Sequence, residues 1–487
     1  MRSIHRGSAA LLLTLYAATG LAREGDADPR FSSDGLQTIA YDLTTAKGDF
    51  AHRVIVDPRK GRYIVVGYVD GGAVGLAAFR PDGSIDASFG VNGKIARGAP
   101  LQSISGVTVD AINRIVVAGD GRKPGGALLD FDPVVCRYSM DGFPDTNISP
   151  SGCRSIPIDV VAGGTDTLSA VTTDGAGQIY VAGQVQLSAN DYDFLVMKLA
   201  SPDAAPLTTF AGTGRRYIEF DIDAGSAGGD VDGAQAILLL GNSLYVAGYA
   251  ADELGNDFAI ARISALNGAD DTSFCPDTTA CVGTQRTQGK RTIGYNLGGD
   301  NQDRVRALAA TPDGNILVAG EVERTVSGSV SNNYLVTRLT PSGSFTGGFG
   351  SGINVYNSIL QDLQLSDMRV RSDGRILLAG TTSAQPFAAD PGRVQWVVQL
   401  TASGQPDTGF STGLGGGSSS ISLIAFANAG SGQPTNHESG ELTLDRGRIL
   451  LAGSRLWVQD LPAGLRDYDY TIARLKGDSL FTDGLEY

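Results

Sequence analysis

From residue 31 onward the chain is a succession of short apolar runs, mostly four to nine residues, separated by clusters rich in Gly, Asp and Asn. Runs of that length, rich in Val, Ile, Leu and Tyr and bounded by turn residues, predict β-strands, and none holds a helical period. One phrase organises the pattern: strand formers ending in Ala-Gly or Val-Gly. It reads YIVVG at Tyr63 to Gly67, then closes at Gly119, Gly183, Gly248, Gly320, Gly380 and Gly453, every 52 to 73 residues. A self-similar period of that size indicates a repeat architecture.

Overlaying the seven copies predicts a four-strand unit, a to d. Before each phrase, which forms strand b, lies a short apolar strand a and a tight turn, as in RVIVDPRKGR or RALAATPDGN. Asp-Gly and Gly-Asn supply the positive φ of a hairpin, so a and b are expected to be antiparallel neighbours. After a connection of variable length comes strand c, with a basic residue in one register: Arg80, Arg137, Lys198, Arg262, Arg338 and Arg474, with Gln399 as the exception. A structural ladder pairing with repeat carboxylates is the expectation for this series. A D-x-x-F turn follows, clearest at Asp86 to Phe89, Asp271 to Phe274 and Asp407 to Phe410, then a glycine opening strand d, as in KRTIGYN from Lys290.

The seventh repeat stops after strand c, and its missing parts lie at the other end of the chain. Asp28 to Phe31 is a D-x-x-F, Gly35 the opening glycine, and LQTIAYD from Leu36 to Asp42 a fourth strand. An open solenoid with this split would leave unpaired edges. The expected fold is therefore an all-β, seven-bladed β-propeller with four antiparallel strands per blade, closed by the N-terminal strand (31–44) completing the last blade. The expected domain is 23–476, with blades near 51–100, 104–162, 167–223, 233–297, 304–359, 365–427 and 439–476, then a C-terminal tail, 477–487.

The unit resembles the delta-60 repeat family of bacterial exported proteins, whose repeat looks like G-[KR]-I-hydrophobic-V-A-G … D-F-x-x-x-R-L-x-x-D-G-x-x-D-x-x-F-G-x-x-G. FRPDGSIDASFGVNGK, from Phe79 to Lys94, matches almost throughout. The resemblance covers the expected mature chain and implies a propeller without implying a function. The tail SLFTDGLEY, Ser479 to Tyr487, is similar to F-x-D-G-F-E tails of exported bacterial proteins.

The first 22 residues carry Arg2, His5 and Arg6, an apolar stretch from Ala9 to about Ala18, and Gly20-Leu21-Ala22. This is the layout of a secretory signal peptide, too short to span a bilayer, so export to the periplasm, cell surface or medium is expected, with no membrane insertion. In an oxidising compartment the four cysteines, Cys136 with Cys153 and Cys275 with Cys281, read as two local disulfides. Lys and Arg number 38 against 52 Asp and Glu, a net charge of −14. An acidic surface repels phosphate backbones, which argues against nucleic-acid partners.

Candidate chemistry concentrates on one face, where long dissimilar b–c loops and the acidic d–a connections meet. The candidate binding residues are Asp49, His52, Asp166, Asp230, Asp232, Asp300, Asp303 and Trp457. DIDAGSAGGDVDG places Asp221, Asp223, Asp230 and Asp232 on a glycine-rich loop, a set that suits Ca²⁺, although no complete Ca²⁺-loop motif is present. The competing reading is that Asp in such turns bonds its own backbone. Gly409 to Gly413 formally matches G-x-S-x-G around Ser411, but in a turn without the following helix a nucleophile elbow needs. The leading expectation is a monomeric, non-catalytic exported propeller that binds a protein, glycan or surface component through its top-face loops and requires no cofactor. The alternative is a hydrolase or lyase with an acidic, Ca²⁺-dependent site at the mouth of the central channel.

Overall fold

The computed structural model describes residues 23–477 except 42–47, 70–71, 124, 128, 221, 223–229, 253–254, 277–288, 327, 350–352, 357–360, 384–392, 413–418, 427–436 and 458–466. The expected signal peptide, Cys281, Asp221, Asp223 and the C-terminal tail beyond Gly477 lie outside the described residues.

The chain opens with β1 (Leu36–Ile39), then β2 (Asp49–Asp57), β3 (Arg62–Val69), β4 (Ala73–Phe79) and β5 (Lys94–Gly98). Next come β6 (Ser103–Val109), β7 (Arg114–Arg122), β8 (Phe131–Ser139), β9 (Cys153–Ser155), β10 (Thr167–Thr173), β11 (Ile179–Ser188), β12 (Asp191–Leu199) and β13 (Arg215–Ile218). They are followed by β14 (Gly233–Leu240), β15 (Ser243–Asp252), β16 (Gly255–Ser264), β17 (Lys290–Ile293), β18 (Arg304–Ala310), β19 (Ile316–Val326), β20 (Ser329–Leu339) and β21 (Ile353–Tyr356). The last are β22 (Gln361–Val370), β23 (Ile376–Ser383), β24 (Arg393–Leu400), β25 (Ile421–Ile424), β26 (His437–Asp445), β27 (Arg448–Trp457) and β28 (Asp467–Leu475).

The strands form an all-β propeller, but its sheets differ from the expected set of seven separate blades closed by the N-terminal strand. Five sheets are discrete four-stranded meanders: β6 to β9, β10 to β13, β14 to β17, β18 to β21 and β22 to β25. The remaining eight strands are fused into one sheet in the order β1-β28-β27-β26-β2-β3-β4-β5. β1 lies at its outer edge, antiparallel to β28 with Leu36 opposite Ala473. The joint between the halves is instead a parallel bridge, Arg53 to Glu441, between β2 and β26. The fusion has a local cause: a Cβ on Gly440 would collide with the His52 carbonyl, so glycine lets the two inner backbones approach to bridging distance.

The core is layered between neighbouring sheets rather than gathered at one centre. Most layers interdigitate large apolar residues from two sheets, as Val66, Leu76 and Ile95 do with Val117, Val134 and Tyr138, while one joins the two halves of the fused sheet, packing Tyr63 and Val65 with Tyr470 and Ile472. Trp396 is fully buried on β24 and stacks on Tyr334 at 5.4 Å. Cys136 and Cys153 form the expected disulfide, a direct cross-strand pair of β8 and β9. Cys275 is buried and disulfide-bonded.

The expected ladder of strand-c basic residues holds in part: Arg80 falls beyond β4 and is exposed, Ala78 taking the register position opposite Ile64, and Lys198 donates to the Ala265 carbonyl at 2.8 Å. Arg137 meets Asp145 at 2.9 Å, Arg262 meets Asp271 at 2.8 Å and Arg474 meets Asp28 at 3.1 Å, so each pairs with the aspartate of a D-x-x-F-type turn. Arg262 also lies over Phe274, and Arg474 over Phe31. Gln399, the exception, donates to Asp407 at 2.8 Å and to Glu24 at 3.1 Å, an amide replacing the cation while Arg375 pairs with Glu24 at 2.7 Å.

Candidate functional site

The innermost strand of each repeat carries a β-bulge, and the repeated phrase imposes it. In β10 and β11, Leu168 pairs with Gly183 and Ala170 with Ala182, leaving Ser169 extra. The same shift leaves His52 extra in β2, Ser105 in β6, Gln235 in β14, Arg306 in β18 and Ser366 in β22. β26 also slips by one, Gly440 and Glu441 lying against the single Ala452 of β27. Opposite every bulge stands the closing glycine of a phrase. A Cβ there would strike the carbonyl of the inner strand: Phe50 for Gly67, Ser103 for Gly119, Thr167 for Gly183 and Arg304 for Gly320. Only glycine admits that carbonyl, and a bulge re-aims the side chain it carries.

The re-aimed side chains meet in the central channel. His52, Ser105, Ser169, Gln235, Arg306, Ser366 and Glu441 all line one cavity of ≈ 480 Å³. They are half-buried, whereas the residues just before the bulge, such as Leu168, Ala234 and Val305, are buried. Where the inner strands begin, the cavity adjoins a hollow of ≈ 380 Å³ lined by Phe50, Tyr68, Ser103, Glu438, Ser439 and Ser454, which shares His52 and Glu441. A second hollow of ≈ 300 Å³ brings in Glu321, Gln364, Thr381 and Arg393.

The charges in this channel are compensated by one another. Glu441 lies 2.8 Å from Arg369, 3.4 Å from Arg53 and 3.4 Å from His52 Nδ1. Arg369 is also 3.1 Å from Asp367, and Arg306 is 2.9 Å from Glu321. Burial pushes the His52 imidazole below its usual value despite the Glu441 carboxylate, so the ring is held neutral, with a further hydrogen bond to the Ser105 backbone. Burial acts to raise Glu441, but the Arg53 and Arg369 guanidiniums outweigh it and keep the carboxylate ionised. Asp367 moves the other way, burial lifting it above the ordinary range.

Of the described residues singled out from sequence, His52 lines the channel. Asp49, Asp232 and Asp303 occupy equivalent places at the entry to an inner strand, and each is buried. Their carboxylates accept from the backbone N–H of Tyr41 (2.8 Å), Phe220 (2.8 Å) and Tyr295 (3.1 Å), two residues beyond the preceding outer strand. They are latches from one sheet to the next inner strand. Asp166 is also buried and accepts from Gln186 N at 2.9 Å. Desolvation raises three of the four, Asp166 to about 6, Asp303 to about 7 and Asp232 to about 8, with Asp230 adding repulsion at Asp232. Asp230 is half-buried and its backbone carbonyl accepts from Tyr192 N, while Asp300 is exposed on a turn. Trp457, placed in a loop from sequence, is the last residue of β27, in register with Asp467. Ser411 is buried and its hydroxyl donates to the Ile421 carbonyl at 2.6 Å, as a turn residue rather than a nucleophile.

Sequence reasoning missed Ser105, Ser169, Gln235, Arg306, Ser366 and Glu441. Their signal was a one-residue slip in the alternation of strand a, 12 to 15 residues before each closing glycine, which becomes visible only when the bulge is suspected. Among the described residues no cluster of three or more His, Cys, Asp or Glu is arranged to hold a metal ion, and no helix is long and apolar enough to cross a membrane.

Comparison with known proteins returns a β-propeller. A family described as a domain of unknown function (DUF5122) beta-propeller matches residues 311–345 and 371–410. No curated protein matches. Among solved structures, the polysaccharide lyase Uly1 is similar over 88% of this chain and 90% of its own, at 11% identity and TM-score 0.48. Sqt1 from Chaetomium thermophilum is similar over 91% of this chain and 100% of its own, at 10% identity and TM-score 0.42. The PQQ-bound aldose sugar dehydrogenase from Streptomyces coelicolor is similar over 75% of this chain and 98% of its own, at 11% identity and TM-score 0.37.

Proposed function

We propose that this protein is an exported binding propeller of the delta-60 repeat type, with its ligand site in the polar mouth of the central channel. The observation that supports binding is the bulge ring. Seven inner strands repeat one backbone device, yet the side chain it presents differs: His, Ser, Ser, Gln, Arg, Ser and the Gly-Glu pair of β26. A purely structural ring would repeat its residue as the phrase repeats its glycine.

Binding is favoured over catalysis by the state of the titratable groups. The d–a aspartates on which an acidic catalytic site would rest are committed to backbone N–H groups. His52 is held between Glu441 and the Ser105 backbone rather than against a side-chain hydroxyl. The test is native mass spectrometry of the mature protein recovered from its own host, alongside a Ser439→Trp variant that obstructs the mouth. A retained small molecule, absent from the variant, is the expected result. Ligand retained equally by both proteins would place binding elsewhere.

A further inference from the structure

We infer that the channel ring receives a neutral, hydroxyl-rich molecule of mono- to disaccharide size, a reading that rests on the channel being the ligand site. The volume, ≈ 480 Å³ before the adjoining hollows are added, falls in the range of about 300–1,000 Å³ typical of small-molecule sites.

The ring is chemically divided. Along one arc stand the uncharged Ser105, Ser169 and Gln235; the serine hydroxyls can both donate and accept, as vicinal hydroxyls require, and Gln235, whose Oε1 accepts from Arg306 at 3.3 Å, offers its amide N–H groups as donors. The other arc is charged but balanced: Arg53, Arg306 and Arg369 face Glu321, Asp367 and Glu441 within 3.4 Å. A ligand carrying net charge would have to displace one member of a compensated pair and leave its partner uncompensated, which is costly in a half-buried setting. A polyol leaves the pairs intact. Its hydroxyls donate to the remaining lone pairs of Glu441, forming charge-assisted hydrogen bonds. Phe50 and Tyr68, which line the mouth, offer apolar surface to the C–H face such a ligand presents.

The experiment is isothermal titration calorimetry on the purified mature chain. Glucose, galactose, maltose and cellobiose form the neutral arm, and galacturonate and glucosamine the charged arms. Saturable binding of at least one neutral sugar is expected, weakened about tenfold by Gln235→Leu, the loss of one hydrogen-bonding group. Ser169→Phe should abolish binding with unchanged circular dichroism. Ser105→Phe, on the neighbouring strand, provides the same obstruction should Ser169→Phe fail to fold. No saturable heat with any neutral sugar, or binding confined to galacturonate or glucosamine, overturns the ligand class. Saccharide binding that survives both obstructing variants overturns the channel site as well.

Discussion

Gly183 stands directly opposite Leu168 in the β10–β11 ladder, where a Cβ on the glycine would overlap the carbonyl oxygen of Thr167. That close approach turns a repeated sequence phrase into a repeated bulge, and the bulge aims Ser169 into the channel.

Gly183→Ala should therefore force the inner strand away from β11, toward the channel. A destabilisation of about 1–3 kcal/mol is expected, the usual cost of overpacking a close backbone contact. Gly98→Ala provides the control, since a Cβ there meets nothing within 4 Å. It should stay within about 0.5 kcal/mol of the parent. Urea denaturation of the two variants checks the contrast.

The Cys136–Cys153 bridge closes a loop with a sequence separation of 17 between two buried positions. Replacing both cysteines by serine should cost about 2–4 kcal/mol, mainly by freeing the unfolded chain. The variant should show a lower denaturant midpoint than the oxidised parent.

Asp232 should make stability fall as pH rises. Its folded pKa, pushed up to about 8 chiefly by burial with help from Asp230, lies above the unfolded carboxyl value. Between those two values the folded state binds more protons than the unfolded state, so each step up in pH favours unfolding until Asp232 is ionised in both. Asp232→Asn retains an acceptor for Phe220 N without the ionisation. Its melting temperature should drop less than the parent's between pH 5 and about pH 9. Parallel curves for the two proteins would remove Asp232 from the account.

Glu441 holds His52, Arg53 and Arg369 together. In Glu441→Gln the carboxylate that raises the His52 pKa is gone, while burial and Arg53 continue to depress it. The His52 midpoint, followed by NMR, should therefore move lower still. An unchanged midpoint would show that the imidazole does not sense Glu441. Loss of these partly buried ion pairs should also cost about 1–3 kcal/mol, read from chemical denaturation.

Much of the fold was legible because its determinants are local. The period-2 alternation, the Asp-Gly turns and the D-x-x-F turns each specify a strand or hairpin from neighbouring residues, and the spacing of Cys136 and Cys153 anticipated a short covalent loop. The role of Arg137, Arg262 and Arg474 was legible too, because they recur in register with turn aspartates, whereas Arg80 was placed in that series although it lies beyond the end of β4. The site was mostly not legible. Asp49, Asp232 and Asp303 read as exposed acidic ligands because sequence shows their charge but not the backbone N–H groups they meet across a sheet boundary.

By itself, then, the sequence determined that this is an all-β repeat protein whose phrase ends in an obligatory glycine. Only the tertiary structure decided what that glycine is for, and that the first and last repeats merge into one eight-stranded sheet through Arg53 and Glu441. The reason is steric. A strand's alternation is written along the chain, whereas the one-residue slip that sends His52, Ser169 and Arg306 inward arises from a neighbouring strand's carbonyl claiming the space of a missing Cβ.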